Sequence, residues 1–471
     1  MLIFSIGIYL LINVAVGFWA SRRVHSTQDF VLAGRRLPMG LATMVTFATW
    51  FGSETMMGAP KEFIEGGFLN VIEEPFGAAL CLILVGIFFA RTFYRWNIIT
   101  FCDFFLMRFG RTSEFVSAVM IIPSYFGWIA AQFVAMGIVG QVVFGLPLST
   151  GIWVGAILVM FYTFMGGMWS VSITDFLHNI ILIFGLIILA IILFSKTGGI
   201  TPVTNQQPAD FFRITPKEMS LQSYAEYVAA WITVGLGSIP QQDIFQRVMA
   251  SKDADTAVKS SIFAGGLYLT VALLPLFIAL AAKTLYPELM NGDTSLIIPN
   301  MVLQHAPLWI QILFFGALIS ALLSTSSGAI LAPAAVLGEN LVKPYLPNLS
   351  DTRLLLVIRL GVVFVTFASI WMAQTRQDIF ELVGESSAFS LVSLFVPLTF
   401  GLYWKRANAV GCMASMILGL VVWVVCAFVW HTTFPAILYG TAASLLGMLV
   451  GSLLTKKRLV DLPDVGMRGT A

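Results

Sequence analysis

The chain has 471 residues, of which 58% are hydrophobic and only 11% are charged. Its mean hydropathy of +0.90 is more than a water-soluble domain of this length needs, so most of the chain is expected to lie in a lipid bilayer. The net charge of +2, with no basic tract and no zinc-ligand spacing, gives no support for a nucleic-acid partner, and we set that class aside.

Apolar runs that are long enough to cross a bilayer recur along the whole chain, since one spanning helix needs about 20 apolar residues. The pattern predicts an all-α integral membrane protein with about 13 transmembrane helices. The first run is long for a signal-peptide core and its charges, Arg22 and Arg23, follow it, so we interpret it as a retained span. The predicted spans lie near residues 2–20, 38–58, 70–92, 114–141, 149–166, 170–195, 223–248, 256–283, 306–335, 353–374, 381–404, 408–430 and 434–454.

Lysine and arginine are distributed very unevenly between alternate loops, which indicates orientation because cytoplasmic loops are enriched in both residues. The bias predicts a multi-pass protein of the cell inner membrane, with its N-terminus outside and its C-terminus in the cytoplasm. The external segments would hold only Lys61, Lys196, Arg213, Lys217, Lys283 and Arg376. The cytoplasmic segments would hold Arg22, Arg23, Arg35, Arg36, Arg91, Arg95, Arg108, Arg111, Arg247, Lys252, Lys259, Lys343, Arg353, Arg359, Lys405, Arg406 and residues 456–458.

The longest external loop, at 196–222, carries prolines among polar residues, and we expect it to be at most partly ordered. The cysteines lie in or beside apolar runs and show no CxxC spacing. We therefore expect free thiols that pack as small apolar groups, at Cys81, Cys102, Cys412 and Cys426.

Two predicted spans contain small and polar residues at mid-membrane depth. The second span includes the segment TFATWFGSETMMGAP at 46–60, and the seventh includes GLGSIPQQD at 235–243. Both helices are expected to break there, because a break frees backbone carbonyls that can bind a cation or a polar solute where protein buries them. Two breaks five spans apart fit an inverted five-plus-five repeat. The alternative is that these glycines only let helices pack closely.

The ninth span contains a dense group of hydroxyls in the sequence ISALLSTSSGA, which includes Ser324 and Thr325. Hydroxyls are neutral hard oxygens, which suit sodium when backbone carbonyls complete the site. Membrane serines and threonines also bond to their own helix or join helices, and that alternative stays open. In the sixth span, Asp175 is a functional candidate because intramembrane carboxylates are costly.

Four segments together resemble the sodium:solute symporter family, and most of all its high-affinity choline transporters and their bacterial relatives. They are DFVLAGRRLP after the first span, YTFMGGMWSVSITD at 162–175, QQDIFQR at 241–247 and SALLSTSSG at 320–328. The resemblance implies the leucine-transporter fold with a 5+5 inverted repeat. It divides the chain into an extra N-terminal helix and loop (1–37), a first repeat (38–195), an external loop (196–222), a second repeat (223–404) and two C-terminal helices with a tail (405–471).

The same resemblance implies a sodium site. In the family, sodium is bound by backbone carbonyls of the first broken helix and by a carbonyl and two hydroxyls of the eighth core helix. The matching positions are Ala48 and Phe51, then Ala321, Ser324 and Thr325. Asp175 matches an aspartate near this site, on its cytoplasmic side. We therefore expect sodium to be the coupling ion.

The predicted substrate site departs from the choline-transporter pattern. Trp50 and Trp128 match two tryptophans that enclose a quaternary ammonium by cation–π attraction, whereas Gln241 replaces a third and Glu54 replaces a small residue. We predict that these four residues and Gln242 bind the solute. Both tryptophans could instead fill helix interfaces, and Glu54 could be a protonated residue or a proton carrier. Glu73 and Glu74 are expected near the outer end of their span and receive no role.

The predicted function is sodium-coupled import of a small polar organic solute by alternating access, and this solute is expected to bear a cationic group. An amine or quaternary ammonium is expected, as in a choline-like compound, an amino acid or a zwitterion. The alternatives are a transporter-like sensor that signals to a partner kinase, and a monocarboxylate symporter. No HExxH, GxSxG or P-loop motif indicates an enzyme. The sequence does not give an oligomeric state.

Overall fold

The computed structural model describes residues 1–22, 26–96, 98–346 and 348–455. Regular structure in these ranges is helical, apart from one isolated bridge between Leu37 and Ser251. Arg23 and residues 456–458, which contributed to the predicted orientation, lie outside the described residues.

The main helices are numbered here in chain order. They are α1 (Leu2–Ser21), α2 (Thr27–Leu32), α3 (Met39–Ala48), α4 (Ala59–Gly66), α5 (Phe68–Trp96), α6 (Phe101–Phe109), α7 (Arg111–Phe144), α8 (Leu148–Thr197), α9 (Leu221–Gly237), α10 (Gln242–Ala250), α11 (Ala254–Leu285), α12 (Leu308–Tyr345), α13 (Asp351–Thr375), α14 (Ile379–Tyr403), α15 (Ala409–Val429) and α16 (Ala436–Leu454). Within the described ranges, 9 helices are long and apolar enough to cross a membrane. The predicted total of about 13 spans stays a prediction.

Helix α8 covers two predicted spans and folds back on itself. The hydroxyl oxygens of Tyr162 and Thr174 lie 2.6 Å apart. Twelve residues of a straight helix would separate them by about 18 Å, which is beyond the reach of both side chains. The chain therefore reverses between these residues, and α8 has a first arm, Leu148–Phe164, and a second arm, Met168–Thr197.

Both predicted helix breaks are present. The first follows α3, which ends at Ala48, and helical structure resumes with a wide turn at Glu54–Gly58 that leads into α4. The second separates α9, which ends at Gly237, from α10, which begins at Gln242. Pro240 supplies no backbone N–H, and Gln241 has extended backbone angles, so the helix cannot continue through this segment.

Helix α12 lies at the centre of the molecule and is buried along its whole length from Phe314 to Val336. It packs against α7, α8 and α13, while α3 packs against α8 and α11. Helices α15 and α16 form a pair that packs on α14. The predicted free thiols are confirmed, since all four cysteines are free and buried.

The loop at 196–222, which was predicted to be external, packs against the rest of the molecule at Phe211. Phe211 is buried, and its ring packs against Phe63 and Phe212. Its carbonyl accepts a 3.0 Å hydrogen bond from the N–H of Phe68, and Gly67 allows this approach because a Cβ there would lie 2.1 Å from the same oxygen. This apolar anchor, which the composition of the loop did not indicate, fixes part of the loop against the start of α5.

Candidate functional site

The two breaks meet through Trp50 and Asp243. The indole N–H of Trp50 donates to Asp243 Oδ2 across 3.2 Å. The hydroxyl of Tyr125, on α7, donates to Asp243 Oδ1 across 2.5 Å and accepts from the Asp243 N–H across 2.9 Å. Asp243 is in the first turn of α10, where free N–H groups and the helix dipole favour a carboxylate. All three side chains are buried, so the bonds fix the breaks against α7.

Helix α7 also supports the first break directly. Gln132 Oε1 accepts a 3.1 Å hydrogen bond from the N–H of Ser53, a backbone donor that the interrupted helix leaves free. Gly52 lies against the same amide, since a Cβ there would be 2.7 Å from Gln132 Oε1. This position therefore needs glycine for close approach.

A small cavity lies between the two breaks. The first break, the second break and helices α5, α7, α9 and α14 all contribute to its wall. Four of the five predicted substrate residues line it, and the remaining lining residues were not predicted. The complete lining is Trp50, Glu54, Glu74, Ala78, Trp128, Val234, Ser238, Gln241, Val383, Ser386 and Ser387.

The aromatic and hydroxyl sides of the cavity are held in place by hydrogen bonds. The backbone N–H of Trp128 donates to Ser386 Oγ across 2.9 Å, so this contact with α14 helps to fix the position of Trp128. The hydroxyls of Ser238 and Ser387 lie 3.0 Å apart and connect α14 to the second break. The serines of α14 were not predicted to line the cavity, because serines in membrane helices commonly serve packing.

Two carboxyl groups face this cavity. Glu54 is only 5% exposed, and its Oε1 makes no hydrogen bond within the described part of the chain. Glu74 is 1% exposed, and it accepts from the hydroxyls of Thr55, at 2.6 Å, and Tyr268. Among the described lining residues there is no lysine, arginine or histidine. Glu74, to which the sequence gave no role, is thus part of the cavity lining.

Gln242 does not belong to the cavity. Its side chain is fully buried, and its Oε1 accepts a 2.5 Å hydrogen bond from the N–H of Phe101 at the start of α6. Gln241 precedes α10 and has extended backbone angles, so its side chain leaves the chain in another direction and lines the cavity. We therefore correct the prediction that Gln242 binds the solute.

The predicted sodium ligands come together in part. Thr325 Oγ1 donates to the carbonyl of Ala48 across 3.1 Å, and Ser324 Oγ donates to the carboxylate of Asp175. These contacts join the end of α3, the middle of α12 and the second arm of α8. All four residues are buried, and their oxygens are the hard donors that suit sodium.

The other two predicted ligands lie on the same elements. Ala321 is one helical turn before Ser324 and Thr325 on α12, and Phe51 is in the first break. The ring of Phe51 stacks on Phe47 and meets Tyr268 edge-on. Within the described part of the chain, the backbone carbonyls of Phe51 and Ala321 accept no hydrogen bond from the hydroxyls of Ser324 and Thr325, which donate to Asp175 and Ala48.

Arg247 is a buried cation beside these residues, whereas the sequence assigned it to the cytoplasmic loops. Its side chain is 2% exposed, and its Nε donates to Thr49 Oγ1 across 3.0 Å. The guanidinium also lies against Gly328, where a Cβ would be 2.3 Å from Nη2. It thus touches the residue after Ala48 and the helical turn after Ser324.

Comparison with known proteins identifies the class. The sodium:solute symporter family model matches residues 30–419. The chain belongs to the sodium:solute symporter family.

Several relatives of this symporter are named as transporters. It is 26% identical to the high-affinity choline transporter 1 of Caenorhabditis elegans, over 89% of this chain and 76% of that protein. It is 26% identical to the osmoregulated proline transporter OpuE of Bacillus subtilis and 27% identical to the sodium/proline symporter of Haemophilus influenzae, in both cases over 97% of this chain and 95% of the relative.

Solved structures show the same fold. A substrate-bound, outward-open Na⁺-coupled sialic acid symporter has a TM-score of 0.84 at 19% identity, covering 98% of this chain and 99% of that one. MhsT in complex with L-phenylalanine has a TM-score of 0.58 at 14% identity, covering 88% and 98%. The predicted leucine-transporter fold is confirmed. The symporter is a multi-pass membrane protein that couples solute import to sodium, and it is a transporter and not an enzyme.

Proposed function

We propose that this symporter imports, together with sodium, a small solute that bears an amine or a quaternary ammonium group. The observation that carries the proposal is the cavity between the breaks, where Glu54 faces Trp50 and Trp128 and no basic side chain is present among the described lining residues. A buried carboxylate is costly unless it is protonated or meets a cation. The ammonium group of the solute supplies that cation, and the two ring faces attract it.

Other lining residues support a solute with a second polar group. Ser386, Ser387 and Gln241 add hydroxyl and amide groups to the cavity. Such groups can bind a hydroxyl, as in a choline-like compound, or a carboxylate, as in an amino acid or another zwitterion. Choline and proline, which the relatives transport according to their names, both carry a positively charged nitrogen.

For sodium, we propose a site built from three elements around the end of α3. The hydroxyls of Ser324 and Thr325 and the carboxylate of Asp175 would bind the ion with the carbonyls of Ala48, Phe51 and Ala321. The support is the convergence of Thr325 on Ala48 and of Ser324 on Asp175. One carboxylate among neutral oxygens matches the single charge of sodium.

We infer that the N-terminus is external, the C-terminus is cytoplasmic and the membrane is the cell inner membrane. The uneven distribution of lysine and arginine between alternate loops supports this orientation, and two contacts fit the sides predicted for their lysines. Lys283, predicted to be external, donates to the carbonyl of Ile64 across 2.9 Å, beside the external end of α4. Lys252, predicted to be cytoplasmic, donates from its N–H to the carbonyl of Leu37 across 3.0 Å, beside the start of α3. The matching breaks support the division into repeats at 38–195 and 223–404.

Counterflow in proteoliposomes tests the proposed solute class. Vesicles loaded with unlabelled solute would receive labelled choline, proline, glycine betaine or lactate, each with and without sodium. We expect sodium-dependent accumulation of at least one solute with a positively charged nitrogen, and none of lactate. Transport of lactate alone would favour a monocarboxylate symporter. A sodium-dependent rise in melting temperature on solute binding, without flux, would favour a sensor.

A further inference from the structure

A cluster of buried oxygens adjoins the solute cavity and is not explained by solute binding. It consists of Glu74 on α5, Thr55 after the first break and Tyr268 on α11. Thr55 Oγ1 lies 2.6 Å from Glu74 Oε1 and 2.7 Å from Tyr268 Oη, and Tyr268 Oη contacts the same Glu74 oxygen. The carbonyl of Trp50 lies 3.4 Å from Thr55 Oγ1 and 3.3 Å from Tyr268 Oη. None of the three side chains is more than 1% exposed.

The number of hydrogens in this cluster decides its charge. Three oxygens are in mutual contact, and each contact needs one hydrogen between its two oxygens. The hydroxyls of Thr55 and Tyr268 supply one hydrogen each, and an ionised carboxylate supplies none. With Glu74 ionised, one pair of oxygens would face each other through lone pairs only. A protonated Glu74 provides the missing hydrogen.

The charges around Glu74 also favour a proton. Glu54 lines the same cavity, and two ionised carboxylates in one buried site repel each other strongly. Glu73, the neighbour on α5, adds a third carboxyl group, which packs against Gly384 of α14. Tyr268 is the titratable group that α11 contributes. The residues of α7, α9, α14 and the second break that line the cavity are not titratable.

We propose that Glu74 is a proton-binding site of this symporter. Its proton is the third hydrogen of the cluster with Thr55 and Tyr268, and it leaves Glu54 as the one negative charge of the cavity. One ammonium group then neutralises the cavity, which is the only part of the inference that rests on the proposed function. Loss of the proton at high pH adds a second negative charge and removes a hydrogen bond beside the carbonyl of Trp50.

Infrared difference spectroscopy of the purified protein tests the site without a solute. The C=O stretch of a protonated carboxyl group should be present in wild type at neutral pH, absent in Glu74→Gln and retained in Glu54→Gln and Glu73→Gln. It should disappear from wild type as the pH rises. A band that Glu74→Gln leaves unchanged, or that Glu54→Gln removes, would overturn the assignment.

Transport provides a second, independent readout. Wild-type uptake should fall as pH rises through the ionisation of Glu74, whereas uptake by Glu74→Gln, relative to its own maximum, should not depend on that ionisation. Glu73→Gln is the matched control and should retain the wild-type pH profile. A pH profile of Glu74→Gln that matches wild type contradicts the proposal. If the infrared band behaves as expected while no ammonium solute is transported, the proton site stands and only the proposed solute class fails.

Discussion

The indole N–H of Trp50 donates a hydrogen bond to the carboxylate of Asp243 across 3.2 Å, and this bond joins the two broken helices at their breaks. Both residues are buried, and Asp243 also bonds to Tyr125 of α7. The ring of Trp50 lines the proposed solute cavity, so its position depends on a residue of the opposite repeat.

A double-mutant cycle should measure this bond. Trp50→Phe keeps an aromatic ring but removes the donor, and Asp243→Asn removes the charge. Each should weaken solute binding by about tenfold or more, because hydrogen bonds to charged groups contribute about 1.5–3 kcal/mol. The double variant should be little worse than either single variant. Solute dissociation constants at saturating sodium provide the measurement, and strictly additive effects would show that the bond does not position the ring.

The proposed sodium site predicts a specific effect of two hydroxyls. Ser324→Ala and Thr325→Ala should each raise the sodium concentration for half-maximal uptake by about tenfold or more, since a lost ligand in a buried site costs on the order of 1–3 kcal/mol. Solute affinity at saturating sodium should change much less.

Ser326→Ala is the matched control for this pair. Ser326 is equally buried on α12, but its hydroxyl bonds to the carbonyl of Leu322 in its own helix. It should retain the wild-type sodium dependence. An unaltered half-saturation for sodium in the Ser324→Ala/Thr325→Ala double variant would rule out the site as proposed.

The charge of Glu54 predicts selectivity. Glu54→Gln should reduce affinity for an ammonium solute by about tenfold to a hundredfold, because a charge-assisted contact is lost. Trp128→Ala should weaken binding further by removing a ring face. Anionic solutes should be tolerated equally well or better by Glu54→Gln.

Competition by cationic and anionic solutes in proteoliposomes measures this selectivity. Glu65→Gln is the control. Glu65 is an exposed residue of α4 that accepts a hydrogen bond from Thr294, and its change should have no effect on this selectivity. If the transported solute is a monocarboxylate and Glu54→Gln carries it at the wild-type rate, the cationic solute class is wrong.

The close approach of Arg247 to Gly328 predicts a sensitive position on α12. A Cβ in Gly328→Ala would lie 2.3 Å from the guanidinium, which would have to move away from Thr49. We expect a destabilisation of about 1–3 kcal/mol, as for other overpacked interiors, together with weaker sodium dependence. Thermal unfolding in detergent and sodium titration provide the two measurements.

Gly266→Ala is the control for this change. Gly266 is also helical, but a Cβ there would meet nothing within 4 Å. It should be neutral or slightly stabilising, because alanine favours helix more than glycine does. If Gly328→Ala is equally neutral, the guanidinium is free to relocate and has no fixed role beside the sodium site.

An ion pair on the side proposed to be external predicts an effect on opening. Lys61 of α4 lies 2.6 Å from Asp378, the residue before α14, and both side chains are partly exposed. Lys61→Asp should favour the state open to the outside, but only by up to about 1 kcal/mol, a factor of about five, because exposed ion pairs are weak. The double variant Lys61→Asp/Asp378→Lys should restore the wild-type balance. Accessibility of an engineered cavity cysteine to an external thiol reagent would measure it, and failure of the reversed pair to rescue would exclude the ion pair as a gate.

The local chemistry of the sequence determined the class of the protein, the two helix breaks and the hydroxyl pair. Apolar runs identify membrane helices wherever they occur, because a bilayer forces every span to satisfy its backbone internally. The breaks at 49–53 and 238–241 were predicted from glycine, proline and polar residues at membrane depth, which act on the backbone within a few residues. The family motifs supplied the proposed sodium ligands by position.

Only the tertiary structure decided which polar side chains share the cavity. Gln241 and Gln242 are adjacent in sequence, yet one lines the cavity and the other bonds to α6. Glu74 joins Thr55 and Tyr268 from two other elements. Arg247 reaches Thr49 across 198 positions of the chain. Each residue turns a helix by about 100°. The face that a side chain presents therefore depends on how helix breaks and neighbouring helices set the rotation of its helix. Those contacts are made between segments that are distant in sequence.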